Sequence, residues 1–331
     1  MLTVEDLRVS FAYGGRPVEV VHGVDLSVGV GESVGIVGES GSGKSVTGRA
    51  IMGILPTPPA RTTAKRMEIA GQDLRGGGVP EAGDGHQGQP IAMIFQNPFT
   101  ALNPVFRVGS TLTEALVKRR GMSRSDATAE AVRLLDRVRI PNAKSRIRNY
   151  PHEFSGGMQQ RIVIALALAL EPRLLIADEP TTALDVTVQA EILELLREIQ
   201  TERTMGMIFI SHALGVVAEV VSRVNVMYAG RIVESGPVGS VYDDPKHPYT
   251  QALLLAAPKV GQFRTRTFGI PGSPPDPSSP PPGCAFHPRC ALATDVCRDT
   301  VPDVRPRLAG GSGTASCHHA GESLVAEGAT R

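Results

Sequence analysis

Ser33-Val34-Gly35-Ile36-Val37, running directly into Gly38-Glu39-Ser40-Gly41-Ser42-Gly43-Lys44-Ser45, is the stretch that decides the architecture. A short apolar strand meets a glycine-rich turn that fits G-x-x-x-x-G-K-[ST], and a helix is predicted to start near Lys44. In such an arrangement the N–H groups of the loop surround phosphate oxygens while the helix N-terminus favours their negative charge. Lys44 then reaches the β and γ phosphates, and the Ser45 hydroxyl binds Mg²⁺. Gly38, Ser40, Gly41, Ser42, Gly43, Lys44, Ser45 and Val46 are therefore candidate nucleotide contacts.

Working outward, Ile91 to Phe95, Leu174 to Ala177 and Met207 to Ile210 are further apolar runs that end in polar or acidic residues. Alternation of such strands with helix-period segments predicts an α/β fold. Leu174 to Ala177 ends in Asp178-Glu179, and the ends of buried strands are where a parallel sheet presents residues to a ligand. Asp178 is expected to hold Mg²⁺, and Glu179 to orient and deprotonate the attacking water. Ser123 to Val138 places Ala127, Ala131, Leu134, Leu135 and Val138 on one face, and the segment after Asp185 does the same with Ile192, Leu193, Leu196 and Ile199. Both read as amphipathic packing helices. Val224 to Gly236 reads as two strands joined at Ala229-Gly230.

Composition limits the alternatives. With 331 residues the chain holds two domains at most, and 34 Lys and Arg against 33 Asp and Glu leave a net charge of +1. No general basic field is available to hold nucleic acid. The longest apolar run, Ile162 to Leu170, is about half of the roughly 20 residues needed to cross a bilayer, and the acidic start MLTVEDLRVS has no secretory character. The seven glycines from Gly71 to Gly88 read as an exposed loop. Val238 to Pro258 keeps a helical period, the chain then turns proline-rich, and all four cysteines fall between Cys284 and Cys317. The last dozen residues are expected to be disordered.

Phe154-Ser155-Gly156-Gly157-Met158-Gln159-Gln160-Arg161 opens the apolar helix, with Ser155 standing 23 residues before Asp178. With the phosphate loop and the Asp178-Glu179 strand end, this motif strongly resembles the signature of the ATP-binding subunits of ABC transporters. That resemblance implies a P-loop NTPase of the ABC ATPase type, residues 1–236, with a helical insertion at about 97–160. It further implies that Ser155, Gly156 and Gly157 complete the ATP site of an opposing subunit. Gln96 resembles the Q-loop glutamine that contacts Mg²⁺ and water, Asp185 the D-loop acid at the subunit interface, and His212 the switch histidine at the γ-phosphate. Ala213 departs from the Asp often found after that histidine. Phe11, with Tyr13 second, resembles the aromatic that stacks on adenine. The loop Gln96 to Asn103, with Phe99, Ala101 and Leu102, is expected to dock a membrane subunit.

FQNPFTALNP, the MQQR ending, Lys246-His247-Pro248-Tyr249-Thr250 and Gly283 to Cys290 resemble the oligopeptide and dipeptide importer branch, including a small Pro/Cys-rich extension at 237–320. The implied partners are a second ATPase subunit, a paralogue by resemblance, two membrane permeases and an extracytoplasmic binding protein. The implied location is the cytoplasmic face of the membrane. Nickel complexes, glutathione or oligosaccharides are alternative substrates, and a soluble ABC ATPase of DNA repair or translation is the alternative class. Cys284-x5-Cys290-x6-Cys297-x19-Cys317 lacks the tight pairs of zinc sites. The segment resembles importer tails read as holding a 4Fe-4S cluster, with zinc, helped by His287, His318 or His319, as the alternative.

Overall fold

The computed structural model describes residues 1–75, 90–182, 184–256, 269–307 and 312–324. The chain divides into two compact units. One comprises Met1–Leu2, Val28–Glu32 and Glu68–Phe209, the other Thr3–Ser27, Ser33–Met67 and Ile210–Arg331.

The core of the first unit is built on strand Leu174–Asp178, buried at every position, with the parallel strand Ile91–Ile94 in register Ile91↔Leu174 to Ile94↔Ala177. Burial on both faces explains why these strands read as continuous apolar runs, not as alternating ones. Helices Val108–Arg120, Arg124–Arg137, Gly156–Ala169 and Val186–Glu202 belong to the same unit. The expected amphipathic helix starts where Ser123 accepts a hydrogen bond from the Asp126 N–H at 3.2 Å, and Ala127, Ala131, Leu134 and Leu135 are its buried face. Helix Gly156–Ala169 is buried over most of its length, so Arg161 needs partners there. It donates to the Val138 carbonyl at 3.0 Å and to Glu191 at 2.7 Å. The segment expected to be an exposed loop opens with a short strand, Gln72–Asp73 pairing antiparallel with Arg66–Ile69, and residues 76–89 lie outside the described residues.

In the second unit, strand Ser33–Val37 runs parallel to Arg223–Tyr228, which pairs antiparallel with Arg231–Pro237. The turn between them is the expected Ala229-Gly230, with φ of 43° and 76°, the left-handed pair that a two-residue hairpin requires. The chain's last strands extend this sheet: Thr314–Ala315 pairs with Arg231–Pro237, and Arg305–Pro306 with Thr314–Ala315. Arg307, fully buried, is ion-paired to the fully buried Glu234 of strand Arg231–Pro237. The helical stretch after Gly236 is broken into Val238–Asp243 and Pro248–Ala256, consistent with Pro245 and Pro248 interrupting the hydrogen-bond ladder. Leu255 is exposed, and the large buried side chain of the second helix is Tyr249, which packs with Tyr228 and Phe286 at ring distances of 4.5 and 5.3 Å. The tail expected to be disordered lies outside the described residues from position 325 onward.

Candidate nucleotide site

In the second unit, the phosphate loop joins strand Ser33–Val37 to helix Lys44–Met52. Two of its glycines are required by close approach. A Cβ on Gly38 would stand 2.1 Å from the Met227 carbonyl oxygen, and one on Gly43, at φ 102°, would meet Val20 O at 3.1 Å. Gly43 is the helix N-cap and offers no side-chain cap, so the first-turn N–H groups of the helix face the loop. Lys44 is buried, and its ammonium donates to the carbonyls of Gly38 at 2.8 Å and Glu39 at 2.9 Å. Ser40 and Gly41 are exposed, while Ser45 and Val46 are half-buried. Of the two candidate aromatics in strand Leu2–Tyr13, Phe11 is half-buried beside Ala60 and Tyr13 is 75% exposed. His212 follows strand Gly206–Ser211 and is exposed, and the loop after it is turned by the Ala213 N–H donating to Ser211 Oγ at 3.1 Å.

In the first unit, the structure pairs two of the expected residues. Gln96 Nε2 donates to Glu179 Oε2 at 2.9 Å, and Thr182 Oγ1 donates to the same oxygen at 2.9 Å. Glu179 sits at φ 47°, a left-handed kink immediately after the strand, which turns it out of the line of the fully buried Asp178. Thr182 was not read from the sequence as a partner of Glu179. Its separation of three residues is compatible with such a bond once the kink is known.

The signature and the D-loop residue are also neighbours within this unit. Ser155 caps helix Gly156–Ala169, accepting from the Met158 N–H at 3.4 Å, and Asp185 caps helix Val186–Glu202, accepting from the Val188 N–H at 3.0 Å. A Cβ on Gly157 would lie 2.5 Å from Val188 Cγ1. Gly157 therefore has a packing reason in addition to any anion contact. Gln159 fixes the motif's approach by donating to the carbonyls of Pro151 at 2.9 Å and Phe154 at 3.1 Å.

The chain matches the ABC transporter family model over residues 21–182 and the oligopeptide/dipeptide transporter C-terminal region over residues 233–297. The chain belongs to the ABC transporter ATPases of the oligopeptide/dipeptide family. It is 46% identical to the dipeptide transport ATP-binding protein of Escherichia coli (strain K12), over 96% of each chain. It is also 48% identical to the oligopeptide transport ATP-binding protein of Bacillus subtilis (strain 168), over 89% of this chain and 83% of that one. A dimeric ATP-binding cassette in a post-hydrolysis state with ADP and Pi shares the fold, with a TM-score of 0.60 at 24% identity over 72% of this chain and 99% of the other. The cbiO1 subunit of Clostridium perfringens aligns with a TM-score of 0.60 at 26% identity, over 73% and 90%. As a family member the chain is an ATPase. No helix among the described residues is long and apolar enough to cross a membrane.

One expectation for this family member needs correction. Leu102, read as part of an exposed docking loop, is buried, whereas Val105 and Phe106 nearby are exposed. The Phe99 side chain lies outside what is described. The four cysteines do approach one another: the Cys284 N–H donates to the Cys297 carbonyl at 2.8 Å, and Cys317 is close enough to feel charge on the other three. Burial pushes the Cys317 thiol up to about 12 and raises Cys284 and Cys290 as well. Yet no group of three or more His, Cys, Asp or Glu among the described residues is placed to hold a metal ion. The substitute histidines are otherwise engaged. His287 Nδ1 lies 3.0 Å from Cys284 O, His318 Nε2 3.1 Å from Thr300 O, and His319 bonds Thr294 at 2.8 Å and Glu322 at 3.0 Å. No ready-made iron-sulfur or zinc centre is therefore present among the described residues.

Proposed function

We propose that this ATPase powers peptide import through a membrane complex. The relatives named for dipeptide and oligopeptide transport support the substrate class. The observation that carries the chemistry is Glu179, whose carboxylate is held by Gln96 and Thr182 directly after a buried strand. In this reading Lys44 and the loop N–H groups bind the β and γ phosphates, and an aromatic of strand Leu2–Tyr13 supports adenine. Ser45 in one unit offers a hydroxyl oxygen, and Gln96 and Asp178 in the other offer amide and carboxylate oxygens, each of a kind that magnesium takes; the ion would neutralise charge on the phosphoryl oxygens. Gln96 and Thr182 orient Glu179, which accepts the proton of the attacking water, and His212 contacts the γ-phosphate.

Ser155, Gly156 and Gly157, with Asp185 beside them, serve a second ATPase subunit, for which a paralogue is proposed. Two permeases and an extracytoplasmic binding protein complete the assembly, placing the chain at the cytoplasmic face. A shared 4Fe-4S centre on the four thiols is retained as part of this proposal, supported by their convergence and not by preformed coordination.

Glu179→Gln tests the assignment. Turnover in the assembled complex should fall about 10²–10⁴-fold while the affinity for ATP is unchanged. Near-normal turnover would remove Glu179 from the role.

A further inference from the structure

Glu39 is the second residue of the phosphate loop, a position that G-x-x-x-x-G-K-[ST] leaves open, and its side chain is an acid where polyphosphate is to bind. The structure shows what neutralises it. Arg289, 250 residues away in the cysteine segment, places a two-pronged guanidinium on the Glu39 carboxylate, with Nη1 to Oε2 at 2.7 Å and Nη2 to Oε1 at 3.0 Å. The arginine side chain is only 5% exposed, against 26% for the acid. Its remaining N–H groups are also engaged: Nε donates to Pro271 O at 2.8 Å, Nη1 to the Tyr228 hydroxyl at 3.3 Å, and Nη2 to Ile270 O at 3.4 Å. The bond to Glu39 stabilises the charged guanidinium further.

Glu39 is held at its backbone too. Its N–H donates to the Tyr249 hydroxyl at 2.8 Å, and its carbonyl accepts from Lys44 Nζ at 2.9 Å. The ammonium that must reach the phosphates therefore rests on the residue that Arg289 grips.

We propose that Arg289 is a positioning residue for ATP binding, acting through Glu39 by cancelling its charge in the phosphate loop on which Lys44 rests. The inference rests on the nucleotide reading of the loop. An unneutralised carboxylate in the loop repels the polyphosphate, and the loss falls on binding, because neither Arg289 nor Glu39 belongs to the Gln96–Glu179 pair that handles the water.

The experiment measures binding of mant-ATP with Mg²⁺ to the full chain, with kcat and KM for ATP in the assembled complex. Arg289→Gln should weaken binding about tenfold or more and raise KM alike, with kcat within about twofold. Arg289→Lys, which keeps the charge but loses the two-pronged grip, should weaken binding less than Arg289→Gln does. Glu39→Gln should bind no more weakly than the parent, and Arg289→Gln combined with Glu39→Gln should recover to within about threefold, because the repelling charge is gone. Wild-type binding in Arg289→Gln, failure of the double variant to recover, or equal damage from Glu39→Gln overturns the proposal. If Arg289→Gln does not fold, Arg289→His is read against the parent at pH 5.5 and pH 8.5: binding near the parent's at pH 5.5 and about tenfold weaker at pH 8.5 is expected, and no difference between the two overturns the proposal. Lys44→Ala separates the two levels: binding that survives Lys44→Ala refutes the nucleotide reading itself, whereas binding lost there and indifferent to Arg289 refutes only the positioning role.

Discussion

Replacing Arg307 by methionine strands a carboxylate that has no access to water. Arg307 and Glu234 are 2% and 0% exposed, and the guanidinium also donates to the carbonyls of Ser240 at 2.8 Å and Asp244 at 2.5 Å. Removing one partner of a buried pair costs about 3–5 kcal/mol, since the other charge stays behind without compensation. Glu234 keeps two backbone donors, the N–H groups of Lys246 at 2.8 Å and His247 at 3.0 Å, which places the loss near the lower end, about 3 kcal/mol. At roughly 2–4 °C per kcal/mol for a body of this size, the unfolding midpoint should fall by about 6–12 °C. Urea and thermal unfolding of the full chain, followed by circular dichroism, measure the loss. A loss under about 1 kcal/mol would show that the arginine acts by packing and refute the electrostatic reasoning.

His247 is buried with Nδ1 accepting the Tyr249 N–H at 3.0 Å, and burial pushes its pKa down to about 3. The folded state therefore binds fewer protons than the unfolded one between about 3 and 6.5, so stability should drop on acidification through that window by up to about 1.4 kcal/mol per pH unit. His247→Asn keeps the acceptor and should flatten that slope; an unchanged slope assigns the dependence elsewhere. For the cysteine segment, anaerobically purified chain is expected to carry iron and acid-labile sulfide. Stoichiometric zinc in a colourless protein rejects the cluster, and a folded tail without metal rejects both.

Much of the molecule was legible locally. The loop Gly38 to Ser45, the strand ending in Asp178-Glu179, the helices begun by Ser123 and Asp185, and the Ala229-Gly230 turn all depend on residues within a few positions of one another. Apolar periodicity, capping side chains and the left-handed backbone of a tight turn act over that range, so the sequence alone determines them. Pairings across the chain carry no such mark. Nothing in the spacing of Glu39 and Arg289, or of Glu234 and Arg307, distinguishes them from other acids and arginines. They meet because the last segment is carried back onto the sheet that contains Ser33–Val37, and that depends on strand order. For the same reason Leu102 read as exposed and proved buried, and Gly157 read only as an anion contact until Val188 was found against it. Hydrophobicity says that a side chain is worth burying, but only the tertiary fold supplies the neighbour that buries it.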